Sequence, residues 1–338
     1  MRVIVNDNHA RHAPPHECEN GLPTPPFEAP GRIAAIRTTL EAAGGFSFEE
    51  APLIGEEKLA ALHDPAYVAY LRSTSAAIAR QPKELPAFVL PSVFPYCSQS
   101  RPRGKSQAGG YCFDTYTPIV AGTFAAALGS AAAALHGAEH LTQGNERALY
   151  VLARPPGHHA ERGRCGGYSY FNNAALAADR LASLGKVAVL DLDVHHGNGT
   201  QHLFYDRPDV FVASIHGDPE HLFPHFSGYA DETGTGPGLG FNRNWPLPPG
   251  TDGKAYRPAL AAALESVGNF GPSFLVVSFG TDAHEADPIG GFKLPLDFFG
   301  ETGQAVRQLN LPTLIVQEGG YNLQTIGACV AGFLMALK

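Results

Sequence analysis

Five short polar strings stand out in a chain of 338 residues that holds 15 histidines but one Trp and two Met. They are Arg154-Pro-Pro-Gly-His158-His159, Asp191-Leu-Asp193-Val-His195-His196-Gly-Asn198, Ser214-Ile-His216, Gly280-Thr-Asp282 and Glu318-Gly-Gly-Tyr321. Asp193 and His195, at i and i+2, project from one face of an extended segment. Joined by Asp282, they make a set of two carboxylates and one imidazole with an open position, as a catalytic zinc requires. The same donors suit Fe or Mn, so ligand type leaves the metal open. Neutral histidine beside a metal-bound water is a natural general base, which makes His158 and His159 candidates once a Pro-Pro-Gly turn presents them together. Asp191 and Asn198 stand where they can fix the tautomers of such histidines. Tyr321, after two glycines, can aim an O–H at a developing oxyanion. Each string taken alone has a plainer reading: a hydrogen-bonded turn, a helix cap at Asp282, a structural histidine pair, an ordinary Gly-Gly-Tyr turn. His9, His12, His16, His63, His136, His140, His202, His221 and His225 read as surface or structural residues. Gly234-Thr-Gly-Pro-Gly-Leu-Gly240 resembles a phosphate loop, but Asn-Trp-Pro follows where a helix would have to start, which excludes that reading.

The elements that must carry these strings alternate along the chain. Apolar, β-branched runs at 2–5, 148–152, 187–192, 210–215, 274–279 and 313–317 predict strands covered on both faces. Segments at 32–43, 65–80, 119–136, 172–184, 255–267, 296–309 and 325–337 predict helices. The alternation predicts an α/β fold, an open, mostly parallel multi-stranded sheet with helices on both faces. Ligands of such sheets sit beyond the carboxyl ends of the strands, so the five strings should converge there. With 44% hydrophobic residues the chain can bury a large core, and 1–338 is expected to form a single domain. A Pro-rich insertion at about 81–118 interrupts the pattern as a long segment without evident structure. Lys+Arg 24 against Asp+Glu 32 leaves a net charge of −8, without the basic excess of a nucleic-acid binder. There is no apolar run long enough for a membrane span and no signal-type h-region at the start. Five cysteines (Cys18, Cys97, Cys112, Cys165, Cys329) without a C-x-x-C argue against a disulfide framework. A soluble, cytoplasmic protein is expected.

PPGHH, DLDVHHGNGT, GTDAHEADP and EGGYN, in this order, resemble the zinc-dependent histone deacetylase and acetylpolyamine amidohydrolase family over nearly the whole chain. Pro-Pro-Phe-Glu-Ala-Pro (25–30) and Phe223-Pro-His-Phe-Ser-Gly-Tyr look most like the bacterial acetylpolyamine branch. The resemblance implies an arginase/deacetylase-like fold and a zinc-dependent deacetylase acting on linear amides, with Fe2+ as the alternative metal. Asp193, His195 and Asp282 would hold the zinc. His159 would be the general base and then acid, beside His158 oriented by Asp191, and Tyr321 would bind the amide carbonyl. Gly167, Tyr168 and Phe223 match the lining of a narrow acyl tunnel. A structural K+ near Asp191, Asp193, His195, Ser214 and Ile215 is implied, as is a homodimer formed through the 81–118 insertion. The substrate class is a small-molecule acylated amine, an acetylpolyamine or acetyl-lysine. A different small-molecule amide and a non-enzymatic binder are the alternatives. Arginase-like enzymes use two manganese ions and richer aspartate bridging, which this sequence lacks. Where polyamine-cleaving relatives carry acidic residues to receive a distal ammonium, Lys105 and Tyr116 align here, with Glu17 or Asp114 as other candidates. Asn198 stands where many members have Asp, so His159 should have a neutral partner and a lower pKa.

Overall fold

The computed structural model describes residues 1–82, 84–96, 101–144 and 146–338. Eight strands form one sheet: β1 (Arg2–Val5), β2 (Ser47–Glu50), β3 (Ala148–Leu152), β4 (Val187–Asp191), β5 (Val210–Gly217), β6 (Asn242–Leu247), β7 (Phe274–Phe279) and β8 (Thr313–Gln317). Their order is β6-β5-β4-β7-β8-β3-β1-β2, and every neighbouring pair is parallel. All eight carboxyl ends therefore lie along one edge.

Eight helices cover the sheet: α1 (Gly31–Ala43), α2 (Pro65–Arg80), α3 (Thr123–Thr142), α4 (Asn173–Ala182), α5 (Asn198–Phe204), α6 (Gly253–Phe270), α7 (Leu296–Arg307) and α8 (Ile326–Leu337). Alternation along the strands divides the apolar side chains into two layers. Leu149, Val151, Val187, Val189, Val276, Leu314 and Val316 pack with α2, α3 and α4. Tyr150, Leu152, Ala188, Leu190, Leu275, Val277 and Ile315 pack with α1, α6, α7 and α8. Fully burying each such side chain contributes about 1.5–3 kcal/mol, and with both faces covered the sheet can hold polar groups only at its ends.

Differences from the sequence expectation have local causes. β2 and β6 escaped notice because Ser-Phe-Glu-Glu and Asn-Arg-Asn-Trp-Pro-Leu are polar or proline-bearing, which only edge strands tolerate. The helix expected at 119–136 begins instead at Thr123, since Ile119–Val120 pairs antiparallel with Phe88–Val89. It also runs on to Thr142. Gly137 looks like a stop, yet it is a contact point: a Cβ there would stand 2.8 Å from Leu314 Cδ1 and 3.0 Å from Val151 Cγ2. α5, short and starting at Asn198, was also missed.

The 81–118 insertion, read from sequence as structureless, carries elements among its described residues: Phe88–Val89, a 3-10 turn at Gly104–Ser106 and a short helix at Gln107–Tyr111. Cys97, like 83 and 98–100, lies outside the described residues. The insertion's end is tied to the body, the Cys18 N–H donating to Thr115 O at 3.0 Å and the Phe113 N–H to Cys165 O at 3.1 Å. Cys18, Cys112, Cys165 and Cys329 are free. No helix among the described residues is long and apolar enough to cross a membrane.

Candidate active site

Four of the polar strings meet at the carboxyl edge. Asp193 and His195 follow β4, Asp282 follows β7, and one ligand atom of each lies within 4.8 Å of the others. His195 Nδ1 is 3.2 Å from Asp193 Oδ1 and 3.2 Å from Asp282 Oδ2. Burial opposes charge on His195, yet its hydrogen bonds to Asp193 and Asp282 push its pKa up to about 10. Two buried carboxylates facing one imidazole nitrogen are a set in want of a cation. The surroundings are built for that crowding. A Cβ on Gly319 would overlap Asp282 Oδ2 and Asp193 Oδ2, and one on Gly280 would overlap Asp193 Oδ2. The Gly319 N–H donates to Asp193 Oδ2 at 2.7 Å and the Val194 N–H to Asp282 Oδ1 at 3.1 Å, fixing both carboxylates. Two oxygen donors and one nitrogen donor, cradled by glycines, fit a divalent metal with an open position.

The loop after β3 brings His158 and His159 alongside, ring centroids 4.0 Å apart. His158 Nδ1 is 3.0 Å from Asp191 Oδ2; burial opposes its charge, but Asp191 and then Asp193 raise its pKa to about 10. His159 Nδ1 is 2.8 Å from Asn198 Oδ1, which leaves Nε2 as its free nitrogen. Its pKa is lowered, as expected from sequence, but for another reason: burial comes first, then His158 and His195, while the Asn198 hydrogen bond acts to raise it. Asn198 is itself held by Glu161, Nδ2 to Oε1 at 3.0 Å. Glu318, quoted from its string without a role, accepts the N–H groups of Gly157 at 2.6 Å and His158 at 3.1 Å and so fixes the histidine turn. The fifth string is split: Ser214 pairs with Asp191 across β4 and β5, but its hydroxyl meets His216 Nδ1 at 2.7 Å. Ile215 is buried in the layer beneath.

A cavity of about 270 Å³ opens onto His159 and His195 and is lined by Glu17, Tyr116, Gly167, Tyr168, Phe223 and Tyr321 among others. Phe223 stands edge-on to His159, centroids 5.0 Å apart. Tyr168 and Tyr321 meet at 5.6 Å on the other wall. Tyr168 has φ 64, held by its N–H donating to Thr117 Oγ1 at 3.0 Å. Gly167 has φ 52, and a Cβ there would overlap the His159 ring, so glycine is required.

The specificity residues divide. Glu17 and Tyr116 line the cavity. Lys105 is exposed in the 104–106 turn and is not among the residues lining the cavity of the single chain. The Asp114 carboxylate accepts the N–H groups of Gly167 at 2.5 Å and Tyr116 at 2.9 Å and so holds the loop. Glu17 is 2% exposed, accepts the Tyr168 hydroxyl at 3.2 Å through Oε1, and has no partner for Oε2 among the described residues. Burial pushes its pKa up to about 7.

Sequence reasoning missed Arg32, from α1. Its guanidinium lies 5.0 Å from the Tyr321 ring centroid, and it donates to Gly320 O at 2.6 Å and to Glu318 O. Glu28 pairs with Arg32 at 3.0 Å and with Arg154 at 2.8 Å, all three buried. An arginine in a helix gives no sign of this until the fold brings α1 to the Gly-Gly-Tyr loop.

The parallel sheet, its cradled Asp-His-Asp cluster and the paired histidines define the class: the chain belongs to the histone deacetylase domain family, whose model matches residues 26–337. It is a deacetylase or amidohydrolase, an enzyme of metal-dependent type. Within that family it is similar over its full length to acetylpolyamine amidohydrolases. That of Mycoplana ramosa is 40% identical over 352 residues, covering 99% of this chain and 98% of the relative. Acetylpolyamine amidohydrolase 2 of Pseudomonas aeruginosa is 40% identical over 346 residues, covering 100% and 99%. The crystal structure of an acetylpolyamine aminohydrolase from Burkholderia pseudomallei matches with TM-score 0.95 at 36% identity, covering 100% of this chain and 98% of that one.

Proposed function

We propose that the enzyme is a zinc-dependent deacetylase of small acetylated polyamines. The observation that carries this reading is Glu17, a buried carboxyl that lines the same cavity as His159 and Tyr321 and has no partner for one oxygen among the described residues. The names of the full-length relatives point to the same substrate class.

Asp193, His195 and Asp282 would hold the zinc, which when bound polarises an amide carbonyl and acidifies a water. His159, neutral and with Nε2 free, takes the proton from the attacking water and returns it to the amine that leaves. Its Nδ1–H donates to Asn198, which keeps that tautomer through the cycle. His158, tied to Asp191, sits beside it as the electrostatic neighbour. Tyr321 donates its O–H to the developing oxyanion. Its pKa is held well above the ordinary value by burial, so the phenol stays protonated. Phe223, Gly167 and Tyr168 leave room for a slender chain and exclude water around it. The distal ammonium of a polyamine would meet Glu17. A structural K+ at Asp191, Asp193, His195, Ser214 and Ile215 is supported by the buried Asp191 beside Ser214 and by the family resemblance. A second copy would pack through 81–118, where Leu85, Val93, Phe94 and Tyr96 are exposed. The free cysteines support a reducing, cytoplasmic setting.

The test is acetate release by the zinc-loaded protein from acetylputrescine, acetylspermidine, an acetyl-lysine peptide and an uncharged acetylamide. The acetylated polyamines should have the highest kcat/KM. Preference for the uncharged amide would favour a different substrate, and no metal-dependent release from any would overturn the reading.

A further inference from the structure

We propose that Glu49, His136 and His140 form a second metal site, for one transition-metal dication of the Zn2+ class. Glu49 lies on the edge strand β2, and the two histidines are one turn apart on α3. β2 is four strands from β7, about 19 Å at ~4.8 Å per strand, so this cluster is separate from the one at Asp193, His195 and Asp282.

Three potential ligand atoms converge. Glu49 Oε1 is 2.7 Å from His136 Nε2 and 3.0 Å from His140 Nε2, and the two nitrogens are 3.1 Å apart. Ligand atoms around a tetrahedral ion with bonds of about 2.0–2.1 Å stand about 3.3 Å from one another, so the trio needs to open by only a few tenths of an ångström. The side chains are 34%, 19% and 16% exposed, which allows that movement and leaves a fourth position for water.

The same three atoms that hydrogen-bond one another also converge as a donor set. The two imidazole nitrogens, 3.1 Å apart, both reach one carboxylate oxygen, and Arg2 Nη1 stands 3.5 Å from His140 Nε2, a contact that an ion bound there would displace. With both Nε2 atoms deprotonated, two lone pairs and the carboxylate oxygen face a common point. Arg2 holds the other oxygen, Oε2, which orients Oε1 toward the histidines. The charge of Arg2 opposes a dication, and Glu146, 2.9 Å from its Nε, offsets it, leaving the group net negative with Glu49. Bound there, the ion would tie an edge strand to the helix that covers it. The pair was not evident in the sequence because the helix expected at 119–136 left His140 beyond its end.

The test is a titration of the zinc-loaded protein, freed of excess metal, with Zn2+, followed by calorimetry and by metal analysis after gel filtration. The wild type should take up one further zinc per chain. His136→Ala/His140→Ala should not, and Glu49→Gln should bind it about tenfold or more weakly. Acetate release should be unchanged in all three. His136→Gln/His140→Gln, checked by circular dichroism, replaces the alanine pair should that pair not fold. A wild type that takes no further zinc, or a double variant that keeps it, overturns the proposal.

Discussion

Asp193 and Asp282 approach closely because Gly280 and Gly319 leave the space that side chains would fill. Gly319→Ala should therefore weaken metal binding by about 10–100-fold while the far-ultraviolet spectrum stays native, measured by competition with a chromophoric chelator. Undiminished affinity would mean that the carboxylates have slack. A second consequence at this scale concerns Glu17. Its pKa is raised from the usual carboxylate range to about 7, so the group is neutral below that pH and charged above it. KM for an acetylated polyamine should fall as pH rises through 7, and Glu17→Gln should flatten that dependence without altering KM for an uncharged acetylamide. The ligands and histidines were legible because Asp-x-Asp-x-His and His-His are rare strings with defined chemistry. Gly280 and Gly319 were quoted in the same strings, but their purpose depends on who approaches them from another strand, which spacing does not encode.

Among the elements, α1 does more than cover the sheet. Its Arg32 holds the carbonyls of Glu318 and Gly320 and faces the Tyr321 ring, while Glu28, one turn earlier, pairs with both Arg32 and Arg154. The sequence marked 25–30 only as a branch resemblance; in the fold its Glu28 is the buried counter-ion. Glu28→Gln keeps the shape and leaves two buried guanidinium groups without their carboxylate. It should cost about 3–5 kcal/mol, read from the denaturant midpoint and slope. A loss under 1 kcal/mol would mean that water reaches the cluster. The six inner strands were legible because burial on both faces demands uninterrupted apolar runs. The two edge strands were not, since one half of each pairing face meets solvent and composition relaxes accordingly.

For the molecule as a whole, the insertion leaves Leu85 52% and Val93 58% exposed, with Tyr96 at 95%. Exposed apolar side chains concentrated in one segment favour a covering surface, as the proposed second copy would supply. Light scattering should give twice the chain mass at micromolar concentration, and Val93→Glu/Tyr96→Glu should return it to the monomer with the fold intact. A wild type of single mass would refute the dimer. The net charge of −8 fits a cationic substrate only in a general way, and the cavity wall is more specific than the total.

The all-parallel order has one more consequence, for the time at which the enzyme becomes competent. His195 and Asp282 are 87 residues apart along the chain, on strands that are neighbours only in the finished sheet. A nascent chain that has emerged as far as His195 offers two donors and no cradle. At 5–20 residues per second, about 4–17 s pass before Asp282 is made, and Gly319 follows later still. Capture of the catalytic ion is therefore a late event in the birth of the protein, open only to chains whose central strands have already paired.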